Sequence, residues 1–141
     1  MKGDKLPASD HIARLCMPKS CADGEIQASA FILRKDELSL SVNWLEFLKC
    51  PTRESEIVAI CEVYKKKFNR VPTNAKIAIL NIDKTCSHVH DASEDNRILN
   101  ILHEPEEKDP SHSGIFGMNQ DDPLIAELIC EMIQENYPAK I

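Results

Sequence analysis

Aromatic residues are scarce in this chain: phenylalanine, tyrosine and tryptophan together make up 5% of 141 residues. Aliphatic side chains must therefore fill the core. Glycine is scarcer still, at four residues, and no Gly-rich phosphate loop can be built from them. The nucleophile elbow G-x-S-x-G and the metalloprotease pattern H-E-x-x-H are missing as well. Apolar runs are short. None approaches the roughly 18 residues of a membrane-spanning helix, and the polar start "MKGDKLPASD" lacks the apolar stretch of a secretory signal. The expected setting is the cytoplasm, with no membrane contact.

Positive charge is in deficit, with 17 Lys and Arg against 23 Asp and Glu and a net charge of -6. Affinity for nucleic acid comes largely from neutralising phosphates with Lys and Arg, so nucleic acid is not the expected partner. The run Lys65-Lys66-Lys67 is the local exception. It suits the last turn of a helix, where cations meet the negative end of the dipole.

At 43% hydrophobic and 28% charged residues, the chain has the composition of one globular domain. A domain of this size buries roughly two-thirds of its unfolded surface, enough for a core without covalent staples. The six cysteines, Cys16, Cys21, Cys50, Cys61, Cys86 and Cys130, include no C-x-x-C pair. Reduced thiols are expected, Cys61 and Cys130 within apolar helical stripes.

Residues 1–10 read as a flexible arm and 11–141 as a single domain. "IQASAFILR" and "LSLSV" read as two strands of a hairpin with Phe31, Leu33, Leu38 and Leu40 near the core. Asn43 is expected to cap a short helix in "NWLEFLK". Thr52 caps the next helix, about 53–68, whose buried face is Ile57, Ile60, Cys61, Tyr64 and Phe68. "KIAILNI" is a central strand, "DKTCSHVHDASEDN" a polar connection, "RILNILHEP" a strand or a helical turn and "IFGM" a short edge strand. Asp121, Asp122 and Pro123 open a last helix that Pro138 closes. Strands and helices do not alternate regularly, so the fold class is α+β: a mostly antiparallel sheet of four to five strands with two main helices on one face.

Four groups of residues could carry chemistry. In "CSHVHD", Cys86, His88 and His90 would share one face of an extended strand and could ligate zinc, though the spacing matches no known zinc pattern and no metal is favoured. His11 and Arg14 would share a face if helical, with Arg14 able to clamp a phosphate or carboxylate. Ser39, Ser41 and Asn43 would lie on one face of an extended strand opposite Leu40 and Val42, with Glu46 following and Trp44 as a core plug or an interface anchor. In "DPSHSGIFG", the turn formers around His112 hold its imidazole in place, either for a polar contact or to tie the loop down.

The segments "HIARLC", "ASAFILR", "LSVNWLE" and "DPSHSGIFG" resemble a set of small bacterial proteins of unknown function. These share an early Arg, an Ala-Phe segment, a Leu-Ser-Val segment and a late Pro-x-His-x-x-Ile turn. The resemblance covers about 50 residues by our reading, implies a bacterial cytosolic protein, and marks Arg14, Phe31, Ser41 and His112. A looser similarity joins the chain to NAD-using toxins of ADP-ribosyltransferase-like or RES-type layout. That would give roles to His11, Arg14, Ser41 and Glu46.

The expected function is that of a binding or accessory subunit in a multiprotein assembly, in a defence- or toxin-related setting. Its partner would be a protein and it would carry no cofactor. Its binding residues would be His11, Arg14, Ser41, Asn43, Trp44 and His112. An NAD-using enzyme is the first alternative and a zinc-dependent enzyme the second.

Overall fold

The computed structural model describes residues 2–140. The chain runs β1 (His11–Cys16), β2 (Cys21–Ala22), β3 (Glu25–Ile26), β4 (Leu40–Trp44), α1 (Arg53–Lys67), β5 (Lys76–Asn81), α2 (Ile82–Ala92), β6 (Asn100–His103), β7 (His112–Phe116), α3 (Pro123–Cys130) and β8 (Glu135–Pro138). Six strands form one antiparallel sheet in the order β6-β7-β4-β1-β5-β8, and β2 and β3 form a separate small ribbon. The α+β class stands, with one more strand in the main sheet than the sequence pattern suggests.

Period-2 alternation divides the sheet into two apolar faces. Ile12 and Cys16 of β1, Leu40 and Val42 of β4, and Ala78 and Leu80 of β5 point to one side, where they meet Ile82 and Val89 of α2 and Ile125, Ala126 and Ile129 of α3. Ala13, Ile77 and Ile79 point to the other side and meet Ile57, Ile60, Cys61 and Tyr64 of α1. Helices thus cover both faces rather than one. The reason is β5, whose middle residues Ile77 to Leu80 are all fully buried, so each of its sides needs a cover.

The helix starts follow local chemistry. Thr52 caps α1 by accepting from the Ser55 amide, and the Ser55 hydroxyl completes a capping box. Glu54 and Glu56 sit in its first turn and three lysines in its last, as the helix dipole favours. Asn81 ends β5 and caps α2 at once, so strand passes into helix with no linker. Asp122 caps α3, with Pro123 in its first turn.

Several segments differ from the sequence reading. "ASAF" (Ala28–Phe31) is a 3-10 turn that plugs Phe31 into the core, not a strand. There is accordingly no hairpin to β4, which pairs with β1 and β7. Leu38 is 85% exposed, while Phe31, Leu33 and Leu40 are buried. Asn43 lies in β4 and caps no helix, the short turn that follows being Glu46–Leu48. The polar "DKTCSHVHDA" is helix α2. β7 is an interior strand between β6 and β4. The last helix stops at Cys130, because β5 captures Glu135–Pro138 as β8.

The N-terminal segment, expected as a flexible arm, is laid along β6. Gly3 N–H donates to the His103 carbonyl at 2.6 Å, His103 N–H to the Asp4 carbonyl at 2.8 Å and Leu6 N–H to the Ile101 carbonyl at 3.1 Å. Leu6 is buried in the core beneath.

Candidate functional site

β1 pairs with β5 along its whole length but with β4 only at Ile12–Trp44 and Ala13–Asn43. Beyond Ala13 the two central strands part, and the Arg14 side chain fills the place of the missing ladder. Its Nε donates to the Ala30 carbonyl at 2.9 Å and its Nη1 to the Ser41 carbonyl at 2.8 Å. A guanidinium suits this role because its planar fork satisfies two carbonyls and still leaves a donor edge. Burial lowers the pKa of Arg14, opposed chiefly by the nearby Cys16 and Tyr64.

The parting of the strands opens a cleft of about 360 Å³. Its walls come from the ends of β1 and β4, from Tyr64, Lys67 and Phe68 at the end of α1, from the loop at Arg70, and from Arg34 and Glu37 before β4, with His112 beside them. Arg14, Arg34 and Arg70 face one acidic lining residue, Glu37, while Lys67 is compensated by Glu106 and Asp109 behind the wall, in a chain whose net charge is -6. The cleft is a cationic pocket in an acidic protein, of a size that takes a small molecule.

His112 is the first residue of β7, opposite Asn43 and diagonal to Ser41. Its imidazole is buried. Nδ1 lies 2.8 Å from the Glu104 carbonyl, which can only accept, so Nδ1 carries a hydrogen. In the neutral ring Nε2 is then an acceptor, and the Ser41 hydroxyl 3.2 Å away donates to it. The Glu106 carboxylate stands 3.9 Å from Nδ1. Both sequence-level readings of His112 apply: one nitrogen ties the loop down and the other faces the cleft. Ser41 itself is solvent-exposed.

Gly114 sits directly opposite Ser41. A Cβ there would fall 2.6 Å from the Ser39 Oγ and 2.9 Å from its Cβ. Absence of a side chain at Gly114 therefore lets the chain entering β4 lie close to β7.

A buried polar chain holds the floor of the cleft. Tyr64 O–H donates to Asn43 Oδ1 at 3.1 Å, and the Asn43 amide donates to Asp109 Oδ1 at 2.7 Å and to Ser111 Oγ at 2.9 Å. Lys67 Nζ then meets Asp109 Oδ2 at 2.9 Å and Glu106 Oε1 at 2.7 Å. Burial raises the Tyr64 pKa, so the phenol stays a neutral donor. For Lys67, burial pulls the pKa down, but its bonds to Glu106 and Asp109 outweigh that and leave it raised. These contacts lock α1, β4 and the 104–112 loop together.

The structure therefore brings Arg14, Ser41, Asn43 and His112 to one cleft. His11 and Trp44 lie elsewhere. In a strand, residues three apart point to opposite faces, so His11 is separated from Arg14 and pairs with Glu46 at 2.7 Å. Trp44 donates from Nε1 to Asp10 at 2.8 Å and packs on Phe47 and His103. The four residues that an NAD-enzyme layout would use are thus split between two places. The three suggested zinc ligands do not converge, because α2 is a helix: His88 projects roughly 200° around the axis from Cys86, away from the face that Cys86 and His90 share. His88 pairs with Glu131 and His90 with Asp91. Among the described residues no group of three or more His, Cys, Asp or Glu side chains is placed to hold a metal ion.

Sequence reasoning missed Tyr64, Lys67, Arg34, Arg70 and Asp109. The available signal was the spacing of Tyr64, Lys67 and Phe68, which share one side of α1. Comparison of the chain with protein-family models, curated proteins and solved structures finds no match.

Proposed function

We propose that this protein is a binding subunit whose recognition site is the Arg14 cleft, and that the cleft receives an anionic group, a carboxylate or a phosphate. The supporting observation is the guanidinium of Arg14, fastened by two backbone carbonyls with its Nη2 left over, beside Arg34 and Arg70. A cation held in this way loses little freedom on binding, which favours affinity, and a free guanidinium edge suits planar oxyanions. The Ser41 hydroxyl and the His112 imidazole add hydrogen-bonding groups for orientation. The proposed setting is an accessory subunit of a bacterial cytosolic assembly, as the resemblance in the Arg14, Phe31, Ser41 and His112 segments implies.

Calorimetric titration with inorganic phosphate, citrate and NAD tests this reading. Phosphate or citrate should bind the native protein, and Arg14→Ala should lose that binding with the cooperative unfolding transition retained. If none binds, or if binding survives Arg14→Ala, the cleft is not an anion site. Binding of NAD with no response to phosphate or citrate would move the recognised feature from the anion to the rest of the dinucleotide and overturn the proposal as stated.

A further inference from the structure

The cleft holds one pair of groups that anion binding alone does not require. Ser41 offers an exposed hydroxyl whose proton points to an imidazole nitrogen 3.2 Å away. The other nitrogen of that imidazole is pinned by the Glu104 carbonyl at 2.8 Å, which fixes the ring orientation and the tautomer. A nucleophile, a base in contact with it, and a third group orienting the base make up the arrangement by which a serine hydroxyl is activated. The third group here is a backbone carbonyl supplemented by the Glu106 carboxylate at 3.9 Å. The two reacting side chains stand on neighbouring strands in fixed register, Asn43 opposite His112 and Ser41 opposite Gly114. Such a dyad is set by the sheet and not by a mobile loop.

We propose that Ser41 is a nucleophile and His112 its general base, acting on an ester that carries an anionic group. This rests on the anion-binding reading of the same cleft. The Ser41 Oγ attacks the acyl carbon as its proton passes to His112 Nε2. The carbonyl π electrons move onto oxygen and the Arg14 guanidinium, bound to the Ser41 backbone, stabilises that negative charge. The electrons then return, the bond to the alkoxide leaving group breaks, and His112 gives it the proton, releasing an alcohol. Water, deprotonated by His112, attacks the Ser41 ester, and the released Oγ recovers its proton from the imidazolium. The products are a carboxylic acid and a regenerated serine, with no change of oxidation state. The remote anion of the substrate rests on Arg34 and Arg70.

A fluorophosphonate probe tests the nucleophile directly, because it phosphonylates an activated serine with loss of fluoride. Intact-mass and peptide analysis of the full-length protein should show one adduct, on the peptide carrying Ser41. Labelling should vanish in Ser41→Ala, an exposed position where folding is retained. It should slow at least about a hundredfold in His112→Gln, the usual contribution of a general base. Absence of an adduct on natively folded protein, an adduct that persists in Ser41→Ala, or an unchanged rate in His112→Gln each overturns the proposal. Inorganic phosphate binding, measured on the same sample, separates the two readings. Phosphate bound without labelling removes the nucleophile and leaves the anion site. Labelling without anion binding keeps Ser41 as a nucleophile but removes the anionic ester as its substrate, overturning that part.

Discussion

Lys67 Nζ lies 2.9 Å from the carboxylate of Asp109, a side chain with no solvent exposure. A fully buried carboxylate needs its countercharge, and removing one partner of a buried ion pair costs about 3–5 kcal/mol. Lys67→Met should destabilise the protein toward the lower end of that range, since Lys67 keeps some contact with water and Asp109 keeps its bonds from Asn43 and Ser111. Adding Asp109→Asn should recover part of the loss. Urea unfolding of both single variants and the double variant measures the coupling, and an additive result would show that the two groups do not interact.

Alkaline pH should weaken the fold. Burial pushes the Cys16 thiol up to about 12, against an ordinary value of 9.0. Above pH 9 the unfolded chain releases this proton and the native state holds it, so stability falls as pH rises toward 12, by at most about 1.4 kcal/mol per pH unit per proton. Tyr64, also raised by burial, acts in the same direction from pH 10 upward. Urea midpoints from pH 8 to 11 should therefore fall, and Tyr64→Phe should flatten the upper part of the slope. At pH 8, iodoacetamide should alkylate Cys16 only after unfolding.

Gly114→Ala should cost about 1–3 kcal/mol, the usual range for overpacking a tight site. The new methyl meets Ser39 at both Oγ and Cβ, and a rotamer change relieves only the first contact. Ser39→Gly added to Gly114→Ala should restore much of the stability. A melting temperature unaffected by Gly114→Ala would show that the strands are not held this close.

His112→Ala should lower stability and anion affinity together. Loss of the Nδ1–H leaves the Glu104 carbonyl without this donor, worth roughly 1–3 kcal/mol. Affinity per folded molecule should also drop, because Ser41 loses its acceptor. Stability loss with unchanged affinity would assign His112 to the loop alone.

The parts of this fold that can be read from sequence are those where one periodicity runs unbroken. α1 shows its apolar spacing and both of its ends, and β5 is a short, nearly continuous apolar run. α2 is hidden because nothing separates it from β5: Asn81 ends the strand and caps the helix, so no turn announces a new element. The end of α3 is hidden for another reason. Met132 and Ile133 continue its apolar spacing, but the chain beyond turns to pair with β5, a long-range decision. In the site, Arg14, Ser41, Asn43 and His112 stand out as polar residues within apolar segments. Lys67 does not, since three lysines at a helix end satisfy the dipole without reference to Asp109, 42 residues away.

The segment laid along β6 also bears on self-association. A sheet edge with unpaired amides and carbonyls is a template for a foreign strand. On the β6 side, backbone bonds from Gly3 to Leu6 occupy that template. At the opposite side, β8 ends in Pro138, whose nitrogen has no hydrogen to offer. A chain shortened to begin at Pro7 would keep the cleft residues but bare the β6 rim. It should then aggregate by pairing strands edge to edge, long before it loses the fold that carries the site.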